Sequence, residues 1–333
     1  MVLSPAVYLI LALIVLLEHA HFLSPMALAW SQPGFRQVML RQPAKYIGAP
    51  IAIIVATTAI GAATSLFTNL HVDIGMRVRV YNLSDYKQPF VMMVVLYWLW
   101  NAYHFAMQNF GVLSIYRKKS GSGSRRLDMA FCLFVQTAAS VLVFAPHLGL
   151  RHDIVRDLYV PLALAGVLAM LVRETRPSPR MLFILTDAAG LVLVFWSGLW
   201  GFAVWAINHW LVAIGLASHV YANNAGRSAT VFVAGLIAAG MVLFWLIFGS
   251  GVNAHTLFDP HFVVRASMIA LSIRYGLAFT HFLYDRWLWR LSDPQVRATI
   301  GQDLFAAPYP GGKGQCSRVP RACKGASDTA ALE

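Results

Sequence analysis

The stretch "MLFILTDAAGLVLVFWSGLWGFAVWAINHWLVAIGLASHVYA", Met181–Ala222, decides the fold. It is one unbroken apolar run of 42 residues. As a single helix it would be ~63 Å long at ~1.5 Å per residue, about twice the ~30 Å hydrocarbon core of a bilayer. It must therefore fold back, and "SGLWG" at its centre is the natural turn.

Working outward, apolar runs matched to a need for ~20 residues per crossing place spans near 4–24, 48–68, 90–115, 127–145, 157–173, 181–200, 202–222, 229–249 and 263–285. Composition agrees. The chain is 58% hydrophobic and 12% charged, whereas a soluble domain carries about 25% charged residues. The expected fold is an all-α, polytopic integral membrane protein of nine helices over residues 1–290. A cytoplasmic tail, 291–333, is expected to be disordered from about 301, where Gly, Pro, Ala and Ser dominate. The first run lacks a basic leader and an A-x-A-like site, so it reads as a retained span rather than a signal peptide.

The net charge of +12 comes from 26 Lys+Arg against 14 Asp+Glu. The basic residues lie between spans and in the tail, a topology signal rather than a nucleic-acid surface, and no nucleic-acid motif competes. Arg36, Arg41 and Lys45 fall in loop 25–47, and the "YRKKSGSGSRR" cluster falls in 116–126. Arg176 and Arg180 follow in 174–180, Arg227 in 223–228, and Arg286, Arg290 and Arg297 after the last span. With nine spans these five segments share one side, which the positive-inside rule makes cytoplasmic. Loops 69–89 and 146–156 dilute the bias with Arg77, Arg79, Lys87, Arg151 and Arg156. The N-terminus is expected outside, and the compartment is expected to be a bacterial inner (cytoplasmic) membrane.

Polar residues in hydrocarbon are costly and mark function by default. That orientation brings them into one leaflet: Glu18, His19 and His21 from the first span, and Asn101, His104 and Gln108 from the third. Asp187 comes from the sixth, His219 from the seventh, and His281 and Asp285 from the ninth, with His209 and Arg274 nearer mid-membrane. Helical spacing groups them further, since positions four or seven apart share a face. Arg274, His281 and Asp285 form one stripe, and Asn101, His104 and Gln108 another. Glu18 and His21 are adjacent, with His19 turned away. His209 and His219 lie ~15 Å apart along their helix, too far to meet one small ligand.

Neutral imidazoles bind metal and donate their other N–H to a carboxylate or carbonyl. His104, His219 and His281, with His19 or His21, are the expected metal ligands, and Glu18, Asp285 and Gln108 their catalytic or orienting partners. Asn101, Asp187, His209 and Arg274 are expected to line the substrate. Such a nitrogen-rich set suits non-haem iron, with copper or zinc as alternatives. Haem is another, although no C-x-x-C-H is present. His71, His147, His152, His255 and His261 read as surface residues in external loops. The three cysteines, Cys132, Cys316 and Cys323, make neither a metal signature nor a disulfide framework. Nucleotide P-loops, dinucleotide fingerprints and H-E-x-x-H are absent.

"EHAHF" (18–22), "YHFAMQNFG" (103–111) and "NHWLVAIGLASH" (208–219) resemble the bacterial Brp/Blh-like carotenoid dioxygenases. The resemblance implies one iron held by single histidines from separate helices, and names no individual ligand. Membrane desaturases are a more distant likeness, because their clustered histidine boxes are missing here. The leading expectation is a metal-dependent membrane oxidoreductase or oxygenase acting on a lipid or isoprenoid, a hydrophobic small molecule delivered by the surrounding membrane lipids. The competing classes are a proton-coupled carrier using Glu18, Asp187, Arg274 and Asp285, a haem protein, and an assembly subunit.

Overall fold

The computed structural model describes residues 5–67, 89–144, 152–174, 177–197, 199–224, 227–246 and 260–305. The described residues are helical with short connections, and the all-α expectation holds. The long helices are α1 (Pro5–Ser31), α3 (Ala49–Phe67), α4 (Pro89–Ser120), α5 (Arg125–Phe144) and α6 (His152–Leu171). They continue as α7 (Pro179–Ser197), α8 (Leu199–Asn223), α9 (Ala229–Phe244) and α10 (Pro260–Leu288). A short helix α2 (Pro33–Arg41) and a π-helical turn, Ala44–Gly48, join α1 to α3. The run 181–222 divides between α7, which ends at Ser197, and α8, which starts at Leu199, within the expected "SGLWG" stretch.

Loop 25–47 is a correction, since it is helical over most of its length. Its apolar residues explain this: Leu28, Ala29, Phe35 and Met39 are fully buried at helical spacing. The basic loop 116–126 is corrected likewise, because α4 runs on to Ser120 and leaves a tight turn. Arg117, Lys118 and Lys119 occupy the last turn of α4, where cations complement the helix dipole. Gly121 and Gly123 then take φ of 69° and 93°, a left-handed conformation that glycine adopts without a Cβ penalty. His152 and His261, expected in loops, are helical in α6 and α10. Loop 69–89 up to residue 88, "SGVNAHTLF", His71, His147, Arg151, His255, Cys316 and Cys323 lie outside the described residues.

Three long helices, α8, α9 and α10, gather around α1, while α3 packs along α10. Side-chain contacts fix the register. Glu18 pairs with Arg274, His21 lies on His281, and Gln108 bonds Asp285 beside the His104–His281 contact. The steps from 104 to 108 and from 281 to 285 are equal, so α4 and α10 run parallel. His21 meets His209, and Gln32, just past the end of α1, donates to the Val220 carbonyl, again with equal steps along the two segments. Helices α1, α4, α8 and α10 therefore share one direction. By contrast, the end of α4, the start of α5, the end of α6 and the start of α7 meet at one end of the bundle.

That meeting is ionic. Asp128 pairs with both Arg117 and Arg180, and Arg180 pairs also with Glu174. Arg180 is 1% exposed and Asp128 is fully buried, so these charges bind helices together rather than decorating a loop. Ser122 Oγ adds a 2.8 Å bond to Glu174 Oε2.

The expected disorder from about 301 is corrected over its first residues. Asp293 caps Pro294–Val296, and helical turns Arg297–Gly301 and Gln302–Phe305 follow. Val296, Ile300 and Leu304 repeat at i, i+4 and i+8 and are buried in the cluster that includes Val220 and Leu288. Asn223 Nδ2 donates to the Asp303 carbonyl at 2.9 Å, which secures the segment to α8. Residues 306–333 lie outside the described set.

Among the described residues, the helical stretches Ala12–Ser31 and Ala44–Thr64 are long and apolar enough to cross a membrane, and Asp157–Leu171 and Ala229–Phe244 are shorter apolar helices. The exterior is also apolar. Leu99 on α4, Leu158, Leu162 and Leu168 on α6, and Val231, Met241 and Val242 on α9 are all more than half exposed.

Candidate metal centre

The site begins at a proline inside α1. Pro25 has no backbone N–H to give the carbonyl four residues earlier, that of His21. Ser24 Oγ supplies the missing donor, at 2.9 Å from the His21 oxygen. The helix ladder is thus interrupted at the residue that enters the centre of the bundle.

Around His21 stand three further histidines, one each from α4, α8 and α10. The His21 ring lies 4.2 Å from that of His281, 5.0 Å from that of His209 and 6.3 Å from that of His104. His104 lies 5.0 Å from His281 and 5.7 Å from His209. All four are buried. Their planes are steeply inclined rather than stacked, at 64° for His21 with His281 and 72° for His104 with His281. Inclined imidazoles can aim lone pairs at a common point. One ligand atom each from His21, His104 and His281 falls within 4.8 Å of the others, a group able to hold a metal ion.

Hydrogen bonding leaves the centre incomplete. Both ring nitrogens of His21 are buried with no hydrogen-bond partner among the described residues, and so is His209 Nε2. A buried polar atom left unpaired costs about 1–3 kcal/mol. Asn109 Oδ1 faces His209 Nδ1 at 3.5 Å. An amide oxygen only accepts, so this contact favours the Nδ1–H tautomer and leaves the Nε2 lone pair available as a ligand. Asn109 is itself held by Asp187, whose Oδ1 accepts from Asn109 Nδ2 at 3.2 Å and from Trp205 Nε1 at 3.1 Å.

Two layers flank the histidines. On the side toward the helix N-termini, Glu18 and Arg274 form an ion pair beside Tyr97 and Tyr275. On the opposite side Asp285 receives Gln108 Nε2 on Oδ2 at 3.0 Å and Trp289 Nε1 on Oδ1 at 3.1 Å. Aromatic rings wall the rest: Phe105 stacks on His209 at 3.7 Å, and Phe282 lies 4.5 Å from His104.

Of the expected ligands, the structure brings together His21, His104 and His281. His19 is elsewhere; its Nδ1 bonds the Val15 carbonyl at 2.7 Å and its ring faces Phe244 of α9. His219 is also elsewhere, with Nε2 3.1 Å from Asn223 Nδ2 near the chain's last described turns. His209, expected only to line the substrate, stands in the cluster instead. The separation of His209 from His219 had already allowed one of the pair at most, and the mid-helix residue is the one that enters. Gln108 and Asp285 stand beside His104 and His281. Glu18 and Arg274 are one and two turns removed, Asn101 is buried one turn before His104, and Asp187 acts through Asn109. No protein-family model, curated protein or solved structure matches the chain.

Proposed function

We propose that this protein is an integral-membrane oxidoreductase, an oxygenase of a lipid or isoprenoid, built around a non-haem iron held by His21, His104 and His281. The observation that carries the reading is His21. Its buried ring nitrogens have no hydrogen-bond partner among the described residues, and one ligand atom each from His21, His104 and His281 lies within 4.8 Å of the others, so that one metal ion could take a nitrogen from each. Iron in such a centre would supply oxygen activation. The chain's own residues do the rest. His209 borders the centre with Nε2 available, and Asp187 and Asn109 fix its tautomer. Gln108 and Trp289 hold the Asp285 carboxylate against the histidines. The aromatic walls exclude water and suit an apolar substrate.

Nine crossings with the N-terminus outside remain the topology that best fits. The parallel run of α1, α4, α8 and α10 supports it, since these are the first, third, seventh and ninth long helices and odd-numbered crossings must share a direction. The apolar exteriors of α4, α6 and α9 support it too. A substrate dissolved in the bilayer would reach the centre between helices, from the membrane of a bacterial cell.

Oxygen consumption tests this directly. Protein loaded with ferrous iron, in liposomes containing isoprenoids or extracted lipids, is expected to take up oxygen and convert a lipid. His104→Ala and His281→Ala should abolish both. Turnover by metal-free protein, or a gradient-driven flux across sealed vesicles with no oxygen uptake, would overturn the proposal.

A further inference from the structure

We infer that Asp285 is itself a metal ligand, so that the primary set is His104, His281 and Asp285, with His21 as a third imidazole. The inference rests on the metal reading above and goes beyond it, because spacing alone makes Asp285 an orienting partner of His281.

The distances decide between the two roles. Asp285 Oδ2 is 3.5 Å from His104 Nε2 and 3.4 Å from His281 Nε2, and the two nitrogens are 3.3 Å apart. Three potential ligand atoms thus form a nearly equilateral triangle. An ion with bonds of about 2.0–2.2 Å in tetrahedral geometry sets its ligands about 3.3–3.6 Å from one another. The triangle has the edge length of one face of a coordination shell.

An orienting role requires a different geometry. A charge-assisted N–H···O⁻ bond is about 2.7–2.9 Å long, shorter than either contact. If both Nε2 atoms carried protons toward Oδ2, two donors would also face each other at 3.3 Å with no acceptor between them. The remaining bonds of the carboxylate fit ligation. Trp289 occupies Oδ1 and Gln108 takes one lone-pair direction of Oδ2, which leaves the other direction for an ion. Such outer donors commonly fix a coordinating carboxylate.

The chemistry of this set narrows the metal. Imidazole and carboxylate donors suit ferrous iron or zinc over cuprous copper, which prefers softer donors. The carboxylate also lowers the charge of a buried divalent centre, and an uncompensated charge there is expensive.

Cobalt(II) provides the probe, because its visible bands report the ligand set. Full-length apoprotein in detergent would be titrated with Co(II) as wild type, Asp285→Asn, Asp285→Ala and Asp285→Glu. Expected are wild-type binding and band positions that move in Asp285→Asn and Asp285→Ala. Affinity should fall beyond the ~10–100-fold that loss of an outer partner costs. Asp285→Glu should regain binding with altered bands. Asp285→Asn that binds Co(II) with wild-type bands would overturn ligation by Asp285 while leaving the metal reading intact. A wild type that binds no Co(II), Zn(II) or Fe(II) would overturn both. Size-exclusion profile and helix content establish that each variant is folded, and Asp285→Glu keeps the test decisive if the neutral variants are not.

Discussion

Replacing one member of the Glu18–Arg274 pair should do more harm than replacing both. The two side chains are 12% and 18% exposed, so neither charge has enough water around it to stand alone. Removing one partner of a buried pair costs about 3–5 kcal/mol, while exchanging both for apolar residues of similar volume is often neutral. Glu18→Leu and Arg274→Met should each lose about 3 kcal/mol, the low end because the pair is partly exposed. The double variant, beside Tyr97 and Tyr275, should return to within about 1 kcal/mol of wild type. The assay is reversible unfolding in mixed micelles, read by circular dichroism across the four-member cycle. Glu18 lies three residues before His21 and Arg274 seven before His281, so metal occupancy should follow the same order. Additive losses, with a coupling energy below about 0.5 kcal/mol, would refute the idea that the pair sets α1 against α10.

His209→Ala should weaken metal binding by about 10–100-fold, whereas His19→Ala and His219→Ala should leave it unchanged, as isothermal titration of apoprotein would show. Gly276→Val should lower the melting temperature. A Cβ there meets the Ile54 Cα of α3 at 2.9 Å and the Thr57 hydroxyl, and overpacking costs about 1–3 kcal/mol. Gly111→Ala, with open space around it, should instead raise the melting temperature, through about 0.5–1 kcal/mol of helix propensity. Asp128→Ala should destabilise the protein by about 3 kcal/mol even though Arg180 keeps Glu174, because Arg117 and Arg180 both lose their shared carboxylate.

Helix positions were legible in the sequence because apolar runs and a length limit are nearly sufficient to find them. Met181–Ala222 had to fold in two, and it does. What failed were the ends. Residues 25–47 carry three basic side chains and read as a loop, yet Phe35 and Met39 share a buried helical face. Residues 296–304 were hidden by the Gly- and Pro-rich tail that follows, although Val296, Ile300 and Leu304 repeat at four-residue steps.

The site was legible to the level of the helix and less so to the residue. Stripes such as His281 with Asp285, and His104 with Gln108, follow from helical periodicity and meet as expected. Which way a stripe faces depends on neighbours that spacing does not name. His219 looked like a ligand from its depth, but Asn223 one turn on, itself fastened to Asp303, holds it at the bundle's end. His209 was passed over for lying nearer mid-membrane, yet α1 and α8 run in register there. One signal in the sequence does favour His21 over His19. Pro25 stands four residues after His21, so the carbonyl it leaves open belongs to the histidine that enters the site.

Elemental analysis with an optical spectrum of the purified protein decides whether the histidine cluster holds iron. Expected are about one iron per chain in a stable detergent preparation, no Soret band, and loss of that metal in His104→Ala. Folded protein that holds no metal after anaerobic incubation with ferrous iron, or that shows a Soret band removed by the same substitution, would contradict it.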